Sequence, residues 1–185
     1  MKVLGISGSL RSDSHNRALL QLAAELLPGD VELEPWDGLK SVPPYDEDDD
    51  VEPAPEAVGQ LRGAIAGADA ILFSTPEYNH SIPGQLKNAL DWASRPLATS
   101  PLRNKPVAVV GASTGAFGAV WAQAELRKVL AATGARVVDG EVAVGHAHER
   151  FGPEGRLEDE PLRRQLGEVV EALVAVTRAR ELIAA

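Results

Sequence analysis

The chain has 185 residues, a formal net charge of −9 and 44% hydrophobic residues, which fits a single globular domain over residues 1–185. The negative charge argues against a nucleic-acid binder and against docking on an anionic membrane, because both need a basic face. The absence of cysteine excludes disulfides, thiolate catalysis and cysteine-ligated metals.

Apolar and amphipathic segments alternate along the chain and predict five strands, most of them separated by helices. Strands are predicted at residues 3–6, 31–34, 70–74, 106–110 and 137–144. Helices are predicted at residues 16–27, 54–66, 83–94, 118–132 and 160–182. This alternation indicates an α/β fold with a parallel sheet covered on both faces.

No apolar stretch approaches the length of a membrane span. The first predicted strand begins so close to Met1 that we expect no signal peptide and a cytoplasmic location. In a parallel sheet of this kind, ligands bind at the carboxyl ends of the strands. The loops at residues 8–16, 75–83 and 111–118 follow three of the strands and are rich in Gly, Ser, Thr, Asn and Pro. We therefore expect these three loops to converge on one site.

The first of these loops has the composition of a phosphate site. It lies between a strand and a helix, and backbone N–H groups at a helix start lack partners within the helix. Ser9, Ser14 and Asn16 offer polar donors, and Arg11 offers a permanent positive charge. Neither the P-loop nor the dinucleotide fingerprint is present, so a mononucleotide fits better. The alternative is a simple helix cap with Arg11 in solvent.

The second loop is stiffened by Pro76 and Pro83, since proline fixes its own φ and restricts the preceding residue. A stiff loop can present backbone groups to a flat heterocycle at low entropic cost. Tyr78 adds an aromatic surface and Asn79 adds an amide. The alternative is a rigid turn that binds nothing.

Taken together, residues 8–16 and 75–92 resemble the NADPH-dependent FMN reductase family, which includes chromate, quinone and azo-dye reductases. The resemblance implies a flavodoxin-like three-layer sandwich whose five-stranded parallel sheet has the order 2-1-3-4-5. It also implies FMN as cofactor and NADPH or NADH as co-substrate. Hydride would pass through FMN to a small acceptor such as a quinone, chromate, an azo compound or free flavin.

The resemblance also implies roles for individual residues. Four residues would hold the FMN phosphate: Ser9, Arg11, Ser14 and Asn16. Four more would flank the isoalloxazine ring: Pro76, Glu77, Tyr78 and Asn79. Ser113, with Thr114 and Gly115 beside it, would border the flavin or its ribityl chain. We assign no catalytic base and no metal ligand, because the flavin carries the chemistry.

Members of the family are usually homodimers or homotetramers. The predicted helix 83–94 would then form part of a subunit interface with Trp92 as a buried anchor, although the core of a single subunit suits a tryptophan equally well. Arg95, Arg103 and Lys105 could form a basic rim for the phosphate of the nicotinamide cofactor, although solvated side chains are commoner.

Two other functions compete with the reductase. Residues 111–115 match G-x-S-x-G, so a serine hydrolase would use Ser113 with Asp139 and either His146 or His148. That hypothesis leaves the first two loops unexplained. A flavin-binding electron carrier or redox sensor without turnover would explain them, and consumption of NADPH with an added acceptor separates it from a reductase. His146 and His148 alone are too few for a metal site.

Overall fold

A computed structural model of the chain describes residues 1–152 and 154–184. Its strands form one parallel sheet: β1 (Lys2–Ser7), β2 (Glu32–Trp36), β3 (Ala70–Thr75), β4 (Pro106–Ala112), β5 (Arg136–Val137) and β6 (Ala143–Val144). The strand order is β2-β1-β3-β4-β5, and β6 also pairs with β4. The predicted order 2-1-3-4-5 is confirmed, with a sixth strand added.

The predicted strand 137–144 is wrong as a single element, because the chain bends in its middle. Gly140 has a φ of 130°, and a Cβ atom at this position would lie 2.7 Å from Cγ2 of Val169 in the helix packed above it. Arg127 donates a hydrogen bond to the Gly140 carbonyl oxygen at the bend. The segment still bonds to β4 on both sides, so β5 and β6 share the fifth position of the sheet.

Helices lie on both faces of the sheet: α1 (His15–Leu26), α2 (Glu56–Gly67), α3 (Gly84–Ala93), α4 (Val120–Ala132), α5 (Ala147–Arg150) and α6 (Glu160–Ala184). The helix predicted at 118–132 begins later, because Gly118 and Ala119 have φ values of 60° and 63°. Two short 3-10 turns, Gly38–Ser41 and Glu47–Asp49, follow β2. In the described part of the chain, no helix is both long and apolar enough to cross a bilayer.

The core consists of two apolar layers, one on each face of the sheet. Alternate residues of the central strands, such as Leu4 and Phe73, pack with α2, α3 and α4. The residues between them, such as Val3 and Leu72, pack with α1 and α6. Both faces of a parallel sheet are therefore buried, and the predicted three-layer sandwich is confirmed.

Polar side chains of α3 hold the segment that follows β2. Gln85 donates to two carbonyl oxygens of residues 39–42, both at 2.8 Å. Asn88 Nδ2 and Trp92 Nε1 both donate to the Pro43 carbonyl oxygen, at 2.7 and 2.9 Å. Trp92 is completely buried within its own chain. The expectation that Trp92 anchors a subunit interface is therefore wrong, and the tryptophan is a core residue.

We predict that Trp92→Ala lowers the free energy of unfolding by about 3–5 kcal/mol, because it removes a large buried side chain. Trp92→Phe should cost less than half of this, since a ring remains and the Pro43 carbonyl keeps its bond from Asn88. Urea denaturation followed by circular dichroism measures both losses. A loss below about 1 kcal/mol for Trp92→Ala would contradict the core role of this side chain.

Candidate active site

The loops that follow β1, β3 and β4 meet at the carboxyl edge of the sheet. The Gly8 N–H donates to the Ser74 carbonyl oxygen at 2.8 Å, which joins the first loop to the end of β3. A Cβ atom on Gly8 would lie 3.3 Å from Cδ of Pro76, so the second loop packs closely against the first. The third loop follows β4, the neighbour of β3. The predicted convergence is confirmed.

Asn16, the second residue of α1, connects this edge through its side-chain amide. Its Oδ1 accepts hydrogen bonds from Ser74 Oγ at 2.9 Å and from the Ala112 N–H at 3.0 Å. Its Nδ2 donates to the Ala112 carbonyl oxygen at 3.0 Å. We expected this side chain to hold a phosphate. The amide of this buried residue holds α1 against the ends of β3 and β4, and its contact with a phosphate stays a prediction.

The first loop contains a row of free hydrogen-bond donors. Ser9 and Ser14 are buried, and their hydroxyl oxygens accept the backbone N–H groups of Arg11 and Asn16 at 3.4 and 3.2 Å. Each hydroxyl keeps its own proton to donate. Within the described residues, five backbone N–H groups of this loop have no protein acceptor: those of Leu10, Ser12, Asp13, Ser14 and His15. Arg11 lies exposed among them.

His15 begins α1 beside this row. Its ring lies 5.0 Å from the ring of Phe151, between centroids. Burial is the main cause that lowers the pKa of His15 below its ordinary value, and the nearby charge of Arg11 lowers this pKa further. His15 therefore favours its neutral form beside the first loop. Sequence analysis missed His15, because Phe151 is far away along the chain.

The second loop contains a tight hairpin turn. Tyr78 and Ser81 exchange backbone hydrogen bonds in both directions, at 3.0 and 3.1 Å. The two residues between them, Asn79 and His80, have φ values of 52° and 59°, as a type I′ turn requires. Asparagine tolerates this left-handed region better than most residues. Asn79 therefore shapes the turn, and Tyr78 remains 52% exposed beside it.

Glu77 caps a helix that lies far from it in the sequence. Ala119 precedes α4 in a left-handed conformation and has no side chain that could cap the helix. Glu77 Oε2 accepts the N–H groups of Trp121 and Ala122 instead, at 3.1 and 3.2 Å. A carboxylate is favourable at a helix N-terminus, where the helix dipole is positive. Sequence analysis missed this cap, since a capping residue normally precedes its helix directly.

The third loop is fastened to the segment that follows β6. The Ser113 N–H donates to the carbonyl oxygen of Val144, the last residue of β6, at 2.9 Å. The Ser113 carbonyl oxygen accepts the Ala147 N–H at 3.0 Å. The Gly115 N–H donates to Ser113 Oγ at 3.1 Å, and its carbonyl oxygen accepts the His146 N–H at 3.0 Å. Thr114 lies exposed between them. The backbone of the third loop is therefore bound to residues 144–147, while the side chain of Thr114 stays exposed to solvent.

The hydrolase hypothesis finds no support in this geometry. Ser113 Oγ accepts the N–H of Gly115, and within the described chain neither His146 nor His148 makes a hydrogen bond to it. The rings of the two histidines lie 6.4 Å apart, and His148 faces Glu149 at 3.4 Å. Among residues 1–152 and 154–184, no three His, Asp or Glu side chains lie close enough together to hold a metal ion.

Comparisons with known proteins agree with the fold and show the family of the chain. The model of the family described as NADPH-dependent FMN reductase matches residues 1–149. The chain is 45% identical over 174 residues to an NAD(P)H-dependent FMN reductase of Pseudomonas aeruginosa, with 94% of this chain and 93% of that protein covered. It is 38% identical over 183 residues to a 2-hydroxy-1,4-benzoquinone reductase of Burkholderia sp, with 98% and 99% covered. The chain belongs to the NADPH-dependent FMN reductase family.

The solved structure of FerB, a flavoenzyme NAD(P)H:(acceptor) oxidoreductase from Paracoccus denitrificans, matches with a TM-score of 0.83 at 35% identity. The match covers 96% of this chain and 97% of that one. The present protein is accordingly a flavoprotein oxidoreductase, with FMN as its cofactor and NAD(P)H as its co-substrate.

The first loop has the chemistry that an FMN phosphate needs. Its free N–H groups point to anion binding at the start of a helix, where the dipole is positive. The hydroxyls of Ser9 and Ser14 and the guanidinium of Arg11 add side-chain donors to the same loop. The residues present therefore fit the cofactor of the family.

The predicted basic rim for the nicotinamide cofactor is wrong. Arg103 and Lys105 directly precede β4, and Arg95 follows α3, which returns from the end of β3. All three therefore lie at the amino edge of the sheet, opposite the three converging loops. Lys105 is only 6% exposed and donates to the Ala68 carbonyl oxygen. Burial lowers the pKa of Lys105, and the charge of Arg180 lowers it further.

We predict that Asn16→Leu lowers the free energy of unfolding by about 2–4 kcal/mol. The substitution leaves buried groups of Ser74 and Ala112 without partners, and each orphaned group costs about 1–3 kcal/mol. Ser14→Ala is the matched control, since it removes one capping bond at the same helix end and should cost about 1 kcal/mol. Urea titrations of the FMN-free protein measure both. Equal losses would contradict the connecting role of Asn16.

Proposed function

We propose that this protein uses NAD(P)H to reduce small acceptors of the quinone type through FMN bound at the carboxyl edge of the sheet. Chromate, azo compounds and free flavin are further candidate acceptors. The observation that carries the proposal is the row of free N–H groups beside Arg11 at the start of α1. Quinone reduction is proposed because the Burkholderia relative is named as a benzoquinone reductase.

Bound FMN supplies the hydride chemistry, and the protein binds and orients the reactants. In the overall reaction, NAD(P)H, one proton and a quinone give NAD(P)⁺ and a hydroquinone. Ser9, Arg11 and Ser14 would hold the phosphate together with the free backbone donors. Asn16 would position these groups through its bonds with Ser74 and Ala112, and the second proton of its Nδ2 is left to donate to the phosphate.

The second and third loops would hold the flavin ring. In the second loop, Tyr78 and Asn79 would flank the ring from the hairpin turn, while Pro76 and Glu77 keep that turn in place through their contacts with Gly8 and α4. The third loop would border the flavin or its ribityl chain with three residues: Ser113, Thr114 and Gly115. Its backbone N–H groups are suited to stabilising negative charge on the reduced ring.

The competing function is a flavin-binding electron carrier or redox sensor without turnover. The similarity to named reductases over almost the whole chain favours the enzyme. We further propose a homodimer or homotetramer acting in the cytoplasm. The oligomer rests on the family resemblance, and the location rests on the supply of NAD(P)H there.

We predict that the purified protein binds FMN and that its flavin absorption bleaches when NADPH is added without oxygen. Reoxidation by 1,4-benzoquinone, with repeated consumption of NADPH, would establish turnover. Absorption spectroscopy in an anaerobic cuvette measures each step, and NADH added in a parallel sample gives the cofactor preference. A protein that binds FMN but oxidises neither nucleotide would be a carrier or a sensor, and a protein that cannot bind FMN would refute the proposal.

We predict that Arg11→Met raises the Kd for FMN about 10- to 100-fold, because a hydrogen bond to a charged group contributes about 1.5–3 kcal/mol. The Kd for riboflavin, which lacks the phosphate, should stay within about twofold. Arg95→Met is the matched control, since this exposed arginine lies at the opposite edge of the sheet. Quenching of flavin fluorescence measures the Kd of each variant for FMN and for riboflavin. An equal loss of FMN and riboflavin binding would show that Arg11 does not contact the phosphate.

A further inference from the structure

A cavity of about 120 Å³ lies between α1 and β2, the edge strand of the sheet. Residues of β1, α1 and β2 line it together with Asp37, so it lies outside the three converging loops. A Cβ atom on Gly5 would lie 2.7 Å from Cδ2 of Leu33 and 3.6 Å from Cδ1 of Leu20. The two leucines therefore meet over the bare backbone of β1 and close the inner end of the cavity.

The walls of the cavity are mostly apolar. Leu20 and Ala24 are four residues apart and so share one face of α1. Leu33 and Pro35 are two residues apart and so share one face of β2. All four line the cavity, and the small side chain of Ala24 leaves space between the helix and the strand. A space of about 150 Å³ with apolar walls can hold benzene. This cavity therefore suits one six-membered ring and is too small for the three fused rings of a flavin.

An ion pair forms the outer end of the cavity, which we call its mouth. Arg17 Nη1 lies 2.7 Å from Asp37 Oδ1, and the two side chains are 37% and 63% exposed. Nε of the same guanidinium is buried, and no described residue accepts a hydrogen bond from it. Buried polar atoms in proteins nearly always have a partner. A ligand group that accepts a hydrogen bond from Arg17 would supply the one that is missing here.

The chemistry of the mouth decides which polar group the ring carries. Arg17 offers N–H donors only, and the carboxylate of Asp37 offers acceptors only. A hydroxyl can accept from the first and donate to the second at the same time. A carboxylate on the ligand would be repelled by Asp37, and an ammonium group would be repelled by Arg17. A ring without a polar group would leave Nε of Arg17 unpaired.

We propose that the cavity between α1 and β2 binds a small monocyclic phenol, with its ring between Ala24 and Leu33 and its hydroxyl on Arg17 and Asp37. The apolar walls and the size of the cavity select the ring, and the ion pair selects the hydroxyl. This site is separate from the flavin site, so the inference does not depend on the proposed function.

The test measures the Kd for phenol by calorimetry on the wild-type protein in the presence of saturating FMN. Ala24→Leu should raise this Kd at least about tenfold, because a leucine in a helix points back over the preceding turn, where Leu20 lines the cavity. Ala24 is exposed, so the substitution leaves the core unchanged. Ala175→Leu, the same change at an exposed alanine of α6, is the matched control and should keep the Kd within about twofold.

Two further variants test the mouth and the walls separately. Arg17→Met removes the guanidinium and should raise the Kd for phenol about tenfold, because a hydrogen bond to a charged group is lost. The Kd for toluene, which has the same shape and no hydroxyl, should stay within about twofold. Leu33→Ala enlarges the cavity and should allow 2-naphthol, which the wild-type protein excludes, to bind. Circular dichroism checks that every variant is folded.

Backbone amide NMR locates the bound phenol. The N–H signals of Leu20, Ala24 and Leu33 should shift during the titration, and those of Tyr78 and Gly115 in the flavin loops should not. Absence of phenol binding, an unchanged Kd in Ala24→Leu, or shifts confined to the flavin loops would each overturn the inference. Benzoate that binds more tightly than phenol would overturn it as well, since the mouth would then select an anion.

Discussion

The buried amide of Asn16 is the constraint on which the rest of the site depends. This one side chain makes three hydrogen bonds to Ser74 and Ala112. Ser74 is the last residue but one of β3, and Ala112 is the last residue of β4. In a poorly polarisable interior, such a network is stabilising only when every member is satisfied. The start of α1 therefore has one well-defined position relative to the sheet. The free N–H groups of the first loop lead directly into α1, so their positions relative to the sheet are fixed as well.

A second constraint acts in the same way on the other side of the site. The carboxylate of Glu77 caps α4 and so fixes the loop after β3 against the loop after β4. Asn16 and Glu77 are both polar residues of the family-like segments, and both make hydrogen bonds that fix one part of the protein against another. The donors of the first loop, which are backbone N–H groups and the side chains of Ser9, Arg11 and Ser14, are therefore held in place before a ligand binds. A site of this kind is preorganised, because its donors need no rearrangement when an anion arrives.

The strand–helix alternation and the convergence of three loops could be predicted from local patterns and one rule of α/β folds, whereas the sheet order came from the family resemblance. Sequence analysis failed where a residue acts across space. Trp92 is indistinguishable from an interface residue until Pro43 is seen to lie against it. Lys105 and Arg103 follow the second loop closely in sequence, but α3 carries the chain to the opposite edge. The bend at Gly140 was missed because its cause is the packing of Val169 from a distant helix.

The electrostatics of the edge explain how an acidic protein can receive anionic reactants. A net charge of −9 opposes the approach of FMN and of a nicotinamide nucleotide, yet Arg11 places a permanent positive charge on the first loop. At physiological ionic strength the screening length is about 8 Å, so distant carboxylates are largely screened from an anion at this loop, while Arg11 is not. A positive charge that acts over so short a range suits an anion at the first loop, because it is offset little by the net charge of the rest of the chain.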